Sequence, residues 1–299
     1  MRWLSTLATA AVLLIAQGNI FAQGAPAAKL KAKAPRTVRL YVFDCGVLHN
    51  ADMGRFNLKK EDVTTTDMSM ACFLVAHPKG NLIWDTGAIP DDSWKPTGKM
   101  ITQHVTLPDG QTREADVDKA LLGQLAEIGY SPADINFLAL SHYHYDHTGN
   151  ANEFAGATWL VPQVERDVMF AGGKAYGSLW PETFSALAKS KTIILKDSEY
   201  DVFGDGSVII KSAPGHTQGH QVLYVKLAKT GGVVLSGDLY HYPAEKTLDR
   251  VPTFDFSGEQ TRTSRKAVDA FLNEKNAQLW IQHDFVGNSK LKKSPQFYD

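Results

Sequence analysis

The apolar positions of the chain change period several times. Val38 to Cys45, Met70 to His77 and Asn81 to Trp84 are short runs rich in β-branched, aromatic and aliphatic residues, which predict strands. Pro78-Lys79-Gly80 joins the last two as a hairpin signal, so the chain opens as a β-meander. A polar loop dotted with Met and Phe fills Val47 to Asp67, and an irregular stretch with Trp94, Met100 and His104 is expected over Ala88 to Arg113. Loops of that length inside a folded domain tend to carry function.

From Asp116 the period becomes helical. Val117, Leu121, Leu122, Leu125 and Ile128 share a face, Gly129 supplies the stop, and Ser131-Pro132 breaks the chain. Ile135 to Ser141 then reads as a buried strand leading into a histidine-rich loop, and another helix is predicted over Gln163 to Phe170. Further strands are predicted at Thr192 to Leu195, Val208 to Ser212, Gln221 to Leu227 and Gly232 to Leu235. A helix follows from Gly258 to Asn273, with Ser257 and Gln260 at capping-box spacing, and Ala277 to Gln282 is a last strand ending at His283. Two β-then-α halves of similar size predict an α/β fold of two sheets packed face to face with helices outside.

Composition narrows the partners. With 299 residues, 31 basic against 32 acidic side chains and 43% hydrophobic residues, the chain is an ordinary globular protein rather than a disordered, collagenous or coiled-coil one. A near-neutral balance without a block of like charge disfavours nucleic acid as a partner. The start is different: Arg2 is followed by an apolar stretch from Trp3 to Ala16 and small residues at Ala22 and Ala25, the pattern of an export signal. The apolar run is too short for a stable membrane span, which takes about 20 residues, although an uncleaved anchor remains the alternative. Residues 1–22 are read as a signal peptide, 23–36 as a flexible tether and 37–299 as one catalytic domain, in a protein that is periplasmic or secreted. Cys45 and Cys72 are the only cysteines, and in an exported chain a disulfide and two buried thiols are both open.

The chemistry concentrates in Ser141-His142-Tyr143-His144-Tyr145-Asp146-His147, an HxHxDH segment. In an extended stretch alternate side chains share a side, so His142 and His144 can face one metal while Asp146 and His147, beyond the turn, reach a second. Burying three imidazoles and a carboxylate together without metal would leave polar groups unsatisfied. Three more candidates each follow a predicted strand: His216 in Pro214-Gly215-His216-Thr217-Gln218-Gly219-His220, Asp238 in Ser236-Gly237-Asp238, and His283 in Gln282-His283-Asp284. His220 is read as structural.

Taken together, HxHxDH, GHTxGH, SGD, the last strand-end histidine and the early Asp85-Thr86-Gly87 resemble the metallo-β-lactamase superfamily over nearly all of the presumed mature chain. The resemblance implies an αββα sandwich of two mixed β-sheets flanked by helices. It implies two zinc ions, with other divalent metals open: His142, His144 and His216 on one, Asp146, His147 and His283 on the other, Asp238 bridging them, and Asp85 holding a ligand histidine from behind. Zinc β-lactamases typically lack the bridging aspartate. The opening Leu40-Tyr41-Val42-Phe43-Asp44-Cys45-Gly46 and the segment around His216 look most like the quorum-quenching N-acyl homoserine lactonases. That implies a small-molecule lactone substrate with an acyl chain, opened by a metal-bridging hydroxide, with Asp146 passing the proton to the leaving alkoxide. Those lactonases commonly carry a tyrosine three residues after the bridging aspartate; here His241 stands there, beside Tyr240, and either is a candidate donor to the oxyanion. Met53, Phe56, Trp94, Tyr176, Leu179 and Trp180 are candidates for the acyl wall. The alternatives are another hydrolase on the same centre (β-lactamase, organophosphate or aryl esterase, thioesterase) or a non-catalytic zinc-binding protein; pairing as a homodimer is left open.

Overall fold

A computed structural model describes residues 34–50, 52–107, 110–175 and 179–299 of the chain. The expected signal segment, all but the last three residues of the tether, and Tyr176 lie outside the described residues.

Among the described residues thirteen strands form two mixed sheets. In chain order the strands of the first sheet are β1 (Arg39–His49), β2 (Asp67–His77), β3 (Gly80–Trp84), β4 (Ile101–Thr106), β5 (Thr112–Val117), β6 (Phe137–Ala139), β7 (Thr158–Pro162) and β8 (Thr192–Leu195). Their spatial order is β4-β5-β1-β2-β3-β6-β7-β8, antiparallel through β3 and parallel from there on. The second sheet holds β9 (Glu199–Asp201), β10 (Val208–Ser212), β11 (Gln221–Leu227), β12 (Gly231–Leu235) and β13 (Ala277–Trp280), ordered β13-β12-β11-β10-β9. The helices are α1 (Leu121–Glu127), α2 (Tyr145–Thr148), α3 (Gln163–Phe170), α4 (Pro243–Thr247), α5 (Gly258–Lys275) and α6 (Phe285–Ser289).

The two-residue period of the strands sorts their side chains into layers. Leu40 and Val42 of β1, Phe73 and Val75 of β2 and Trp84 of β3 meet Ile210, Leu223, Val225, Val233 and Leu235 of the second sheet in one buried cluster. Their neighbours Tyr41, Phe43, Cys72, Leu74 and Ile83 face the other way, packing with Leu121 and Leu125 of α1 and Val168 of α3. Behind the second sheet, Val222, Tyr224 and Val234 pack on Val268 and Phe271 of α5. The result is the αββα sandwich that the resemblance implied.

A bulge explains how β1 serves two neighbours. Asp44 pairs with Ala71 and Val47 with Ser69, so β1 carries one residue more than β2 at Cys45-Gly46. Gly46 has φ +111, and a Cβ there would lie 2.5 Å from the Asp116 carbonyl oxygen, which confines the position to glycine. Past the bulge, Val47 and Leu48 pair with Asp116 and Ala115 of β5. The Asp44 backbone groups are satisfied by α1: its N–H donates to Gln124 Oε1 at 3.0 Å, and its carbonyl accepts from Gln124 Nε2 at 2.7 Å. Cys45 and Cys72, on adjacent strands, are joined in a disulfide.

Several boundaries differ from expectation. β1 runs on to His49, so the loop expected from Val47 begins later. The stretch expected to be irregular over Ala88 to Arg113 contains β4 and the start of β5, an edge hairpin whose outward side chains are exposed and therefore polar, leaving no apolar run to read. Val117 belongs to β5 and not to the helix, which starts at Leu121 because Asp91 accepts from the Leu121 and Leu122 N–H groups at 3.0 and 2.7 Å. Strand β6 is shorter than Ile135 to Ser141 and β13 shorter than Ala277 to Gln282, while α5 extends past Asn273 to Lys275. Strands β7 and β9 add to the expected set, and with eight and five strands the two sheets are unequal. The helices over 163–170 and the strands over 192–195, 208–212 and 221–227 match.

Candidate metal centre

Strand direction brings the candidate residues together. β10 and β12 are each antiparallel to β11, and β13 is parallel to β12, so β10, β12 and β13 end on the same edge of their sheet. His216, Asp238 and His283 lie in the loops past those ends. In the facing sheet, parallel β3 and β6 deliver Asp85 and the HxHxDH segment to the same edge. His142, His144, His147, His216, Asp238 and His283 are each at most 6% exposed, and Asp146 is 9% exposed.

The side chains form two sets that share one member. His142, His144, His216 and Asp238 bring their ligand atoms within 4.8 Å of one another, and Asp146, His147, Asp238 and His283 do the same. Asp238 divides its oxygens between them. Oδ2 lies 3.5 Å from His142 Nε2 and 3.3 Å from His216 Nε2, and Oδ1 lies 3.0 Å from both His147 Nε2 and His283 Nε2. Asp146 Oδ2 is 3.6 Å from His283 Nε2 and 3.8 Å from His147 Nε2. In the first set His144 presents Nδ1, 3.0 Å from His216 Nε2.

These atoms fit metal better than each other. His142 Nε2, His147 Nε2, His283 Nε2 and Asp238 Oδ1 are buried without a hydrogen-bond partner, because atoms 3.0 to 3.5 Å apart point at a common centre and not along a donor-acceptor line. Donors held about 2.0–2.2 Å from a tetrahedral ion stand about 3.4 Å apart, the spacing seen here. Imidazole nitrogen with carboxylate oxygen is the donor set of zinc and similar divalent ions.

The far sides of the rings are held by a second layer of polar groups, which fixes tautomer and orientation. His142 Nδ1 is 3.0 Å from Ser141 Oγ, His216 Nδ1 is 2.9 Å from Asp255 Oδ1, and His283 Nδ1 is 2.8 Å from the Ser69 carbonyl. His147 Nδ1 is 2.9 Å from Asp85 Oδ2. Asp85, fully buried at a left-handed φ of 54, also accepts from the Ser141 N–H at 2.6 Å and Gln282 Nε2 at 2.8 Å. It therefore ties β3 to the HxHxDH loop and to the end of β13. Glu165 of α3 ties the HxHxDH loop to the loop that carries His216, accepting from the Tyr143 and Gly219 N–H groups and from Thr217 Oγ1.

His220 is structural in geometry as read from the sequence: Nδ1 donates to the Ala213 carbonyl at 3.0 Å and Nε2 accepts the Asp238 N–H at 2.9 Å. Burial pushes its pKa down to about 3, so the ring stays neutral in that role. Gly237, at φ +50, threads the chain past it, and a Cβ would lie 2.7 Å from His220 Nε2. Burial would push the Asp238 carboxyl up, but the surrounding rings of His283, His147, His142 and His241 outweigh it and hold the group well below the ordinary carboxylate range.

His241 and Tyr240 part company. His241 lines the crevice above the centre, with Nε2 3.1 Å from Asp238 Oδ2 and Nδ1 3.1 Å from Glu245 Oε1. Burial opposes its charged form, but Glu245 and Asp238 raise its pKa to about 10. Tyr240 points into the cluster with Val268 and Phe271, its ring 4.1 Å below the Arg265 guanidinium, and it does not line the crevice. Of the six acyl-wall candidates Phe56 lines the crevice; Met53 and Trp94 are core residues, and Leu179 and Trp180 pack at the margin of the same cluster. The wall is completed by Leu48, Met68, Tyr145 and Phe254 and by the charged Arg55 and Arg113. Asp255, Glu245 and the two arginines had no motif to mark them.

Among families of known proteins, the metallo-beta-lactamase superfamily matches residues 66–279. An N-acyl homoserine lactonase AttM of Rhizobium radiobacter is 28% identical over 273 residues, 87% of this chain and 98% of that protein. Among solved structures, a variant of B. thuringiensis AiiA with N-decanoyl-L-homoserine bound at the active site superposes with a TM-score of 0.69 at 20% identity, covering 87% of this chain and 99% of that one. AidC, a dizinc quorum-quenching lactonase in complex with a product, gives 0.61 at 19% identity, with 90% and 96% covered. These two likenesses are of fold.

Proposed function

Since the chain belongs to the metallo-β-lactamase superfamily, we propose that it is a dinuclear zinc hydrolase that opens the lactone ring of N-acyl homoserine lactones. The observation that carries the reading is Asp238, whose two oxygens face two separate ligand sets, in a chain whose full-length relatives are named as such lactonases. Two zinc ions bound there would supply Lewis acidity and a water ionised near neutral pH.

The chain's own residues do the rest. Asp146 sits on the crevice floor between His147 and His283, where its carboxylate takes the proton of the attacking water and gives it to the ring oxygen as the ester C–O bond breaks. His241, with Nδ1 engaged by Glu245, turns Nε2 toward the floor and orients the ring carbonyl. Phe56 and Phe254 bury the start of the acyl chain. Ring opening makes one carboxylic acid per turnover, which ionises at neutral pH and releases a proton.

Export to an oxidising compartment belongs to the same reading and is supported by the Cys45–Cys72 disulfide. The test is proton release by the zinc-loaded mature protein on a long-chain N-acyl homoserine lactone, read with a pH indicator. Fast, chelator-sensitive release is expected. No release from a protein holding two zinc ions, with turnover of a β-lactam, thioester or phosphotriester instead, would replace the lactonase reading by another hydrolase of this fold.

A further inference from the structure

Two guanidinium groups, Arg55 and Arg113, line the same crevice as Asp146, Asp238 and His241. They come from separate elements, the turn after β1 and the β4–β5 hairpin. Arg55 is half-buried, its guanidinium 4.9 Å over the Phe254 ring. Among the described residues Arg113 donates within its own hairpin, to the Thr112 carbonyl and to Gln111 Oε1. Among the described residues neither has a carboxylate within ion-pair distance. The acids nearby are occupied: Glu114 lies 3.3 Å from His104 Nδ1, and Asp52 Oδ1 accepts from the Gly54 N–H at 2.9 Å.

Two cationic groups without a carboxylate partner on one crevice wall cost free energy. Burial and the like charge of Arg113 both lower the pKa of Arg55, so the charged form of Arg55 is destabilised by its surroundings. An unpaired, partly desolvated guanidinium fork is suited to paired oxygen atoms on a ligand. The phenol of Tyr145 also lines this wall, within electrostatic reach of both arginines and of Asp146. The floor is taken by the metal-facing groups, where the scissile carbonyl must go. The arginine wall therefore faces the rest of the substrate, its amide and the first carbons of its acyl chain.

Resting on the lactonase reading, we propose that Arg55 and Arg113 form a subsite for two neighbouring carbonyl oxygens on the acyl side, so that the enzyme selects 3-oxo-acyl homoserine lactones over their unsubstituted counterparts. In such substrates the amide and 3-oxo oxygens form a 1,3-dicarbonyl pair that two guanidinium forks can bind together, whereas an unsubstituted chain offers one oxygen and leaves the second fork unmatched.

The test compares kcat/KM for 3-oxo-acyl and plain acyl homoserine lactones of equal chain length, with zinc content measured in each protein. In the wild type the 3-oxo substrate is expected to lead by about tenfold, the value of one charge-assisted hydrogen bond. Arg55→Gln and Arg113→Gln should each bring that ratio toward one at unchanged zinc content. Arg55→Lys, which keeps the charge but not the fork, should fall between. The same order is expected for binding of the two ring-opened products by calorimetry. A wild-type ratio near one, or a ratio that survives both Gln variants, overturns the subsite and leaves the lactonase reading standing. Absence of turnover with either lactone overturns both.

Discussion

Glu245 joins the fold to the chemistry, and replacing it by glutamine separates its two roles. Its carboxylate is fully buried on α4, with Oε2 2.8 Å from Arg265 Nη2 and Oε1 3.1 Å from His241 Nδ1. Arg265 reaches it from α5 and also donates to the Leu239 and Arg250 carbonyls. Glu245→Gln removes the one carboxylate that, among the described residues, pairs with a guanidinium that is 5% exposed. Breaking one side of a buried pair costs about 3–5 kcal/mol, which in a domain of this size lowers Tm by on the order of 10 °C. The glutamine oxygen can still accept from Nδ1, but as a neutral acceptor, and the loss of a charge-assisted bond should reduce kcat by about tenfold.

The assay is thermal unfolding at saturating zinc together with lactone kinetics, extended to the double variant Glu245→Leu/Arg265→Met. Replacing both charged partners by apolar groups of similar volume is often neutral for stability, so the double variant should recover most of the lost Tm. It should not recover kcat, because His241 Nδ1 then has no acceptor at all. A Tm within about 2 °C of wild type for Glu245→Gln, or a double variant whose activity returns along with its stability, would refute the reasoning that one carboxylate serves both Arg265 and His241.

Three further outcomes are expected. Asp85→Asn places an amide where His147 Nδ1, the Ser141 N–H and Gln282 Nε2 converge; zinc affinity measured by competition with a chelator should fall by about 10–100-fold, and an unchanged affinity would make Asp85 a purely structural residue. Asp238→Ala takes one donor from each ligand set, so zinc content by mass spectrometry should drop by at least one ion per chain with most of the activity, while full occupancy and turnover would remove its bridging role. His49 lies 2.8 Å from Asp67 and 3.0 Å from Asp116, which hold its pKa above the ordinary histidine value. A raised folded-state value means that the stabilisation is fully present below the unfolded pKa of about 6.5 and is lost as pH rises through the folded one. The Tm difference between wild type and His49→Gln should thus shrink from pH 5.5 to pH 9, and a difference independent of pH would exclude the ion pairs as its source.

The metal-facing residues were legible because their chemistry is local in sequence. HxHxDH places four donors within six residues, and His216, Asp238 and His283 each follow a strand readable from its apolar run, so the topology of both sheets was enough to bring them to one edge. The edge hairpin β4–β5 was not legible, because a strand covered on one side only and exposed on the other shows too few apolar positions to stand out from a loop. That miss had a functional cost, since the hairpin supplies Arg113 to the crevice wall.

The residues behind the ligands were hidden for a different reason. Asp255 stands 39 positions from His216, Gln282 stands 197 from Asp85, and Arg265 stands 20 from Glu245. None has a periodicity or spacing of its own, because a hydrogen bond between loops constrains only the two positions that happen to meet. Tyr240 shows the converse. Adjacent residues in extended backbone point to opposite sides, and with Tyr240 at φ −145 the ring of His241 faces the crevice while that of Tyr240 packs under Arg265. The backbone can turn only one of this pair toward the crevice, and the buried Glu245 fixes His241 there from behind.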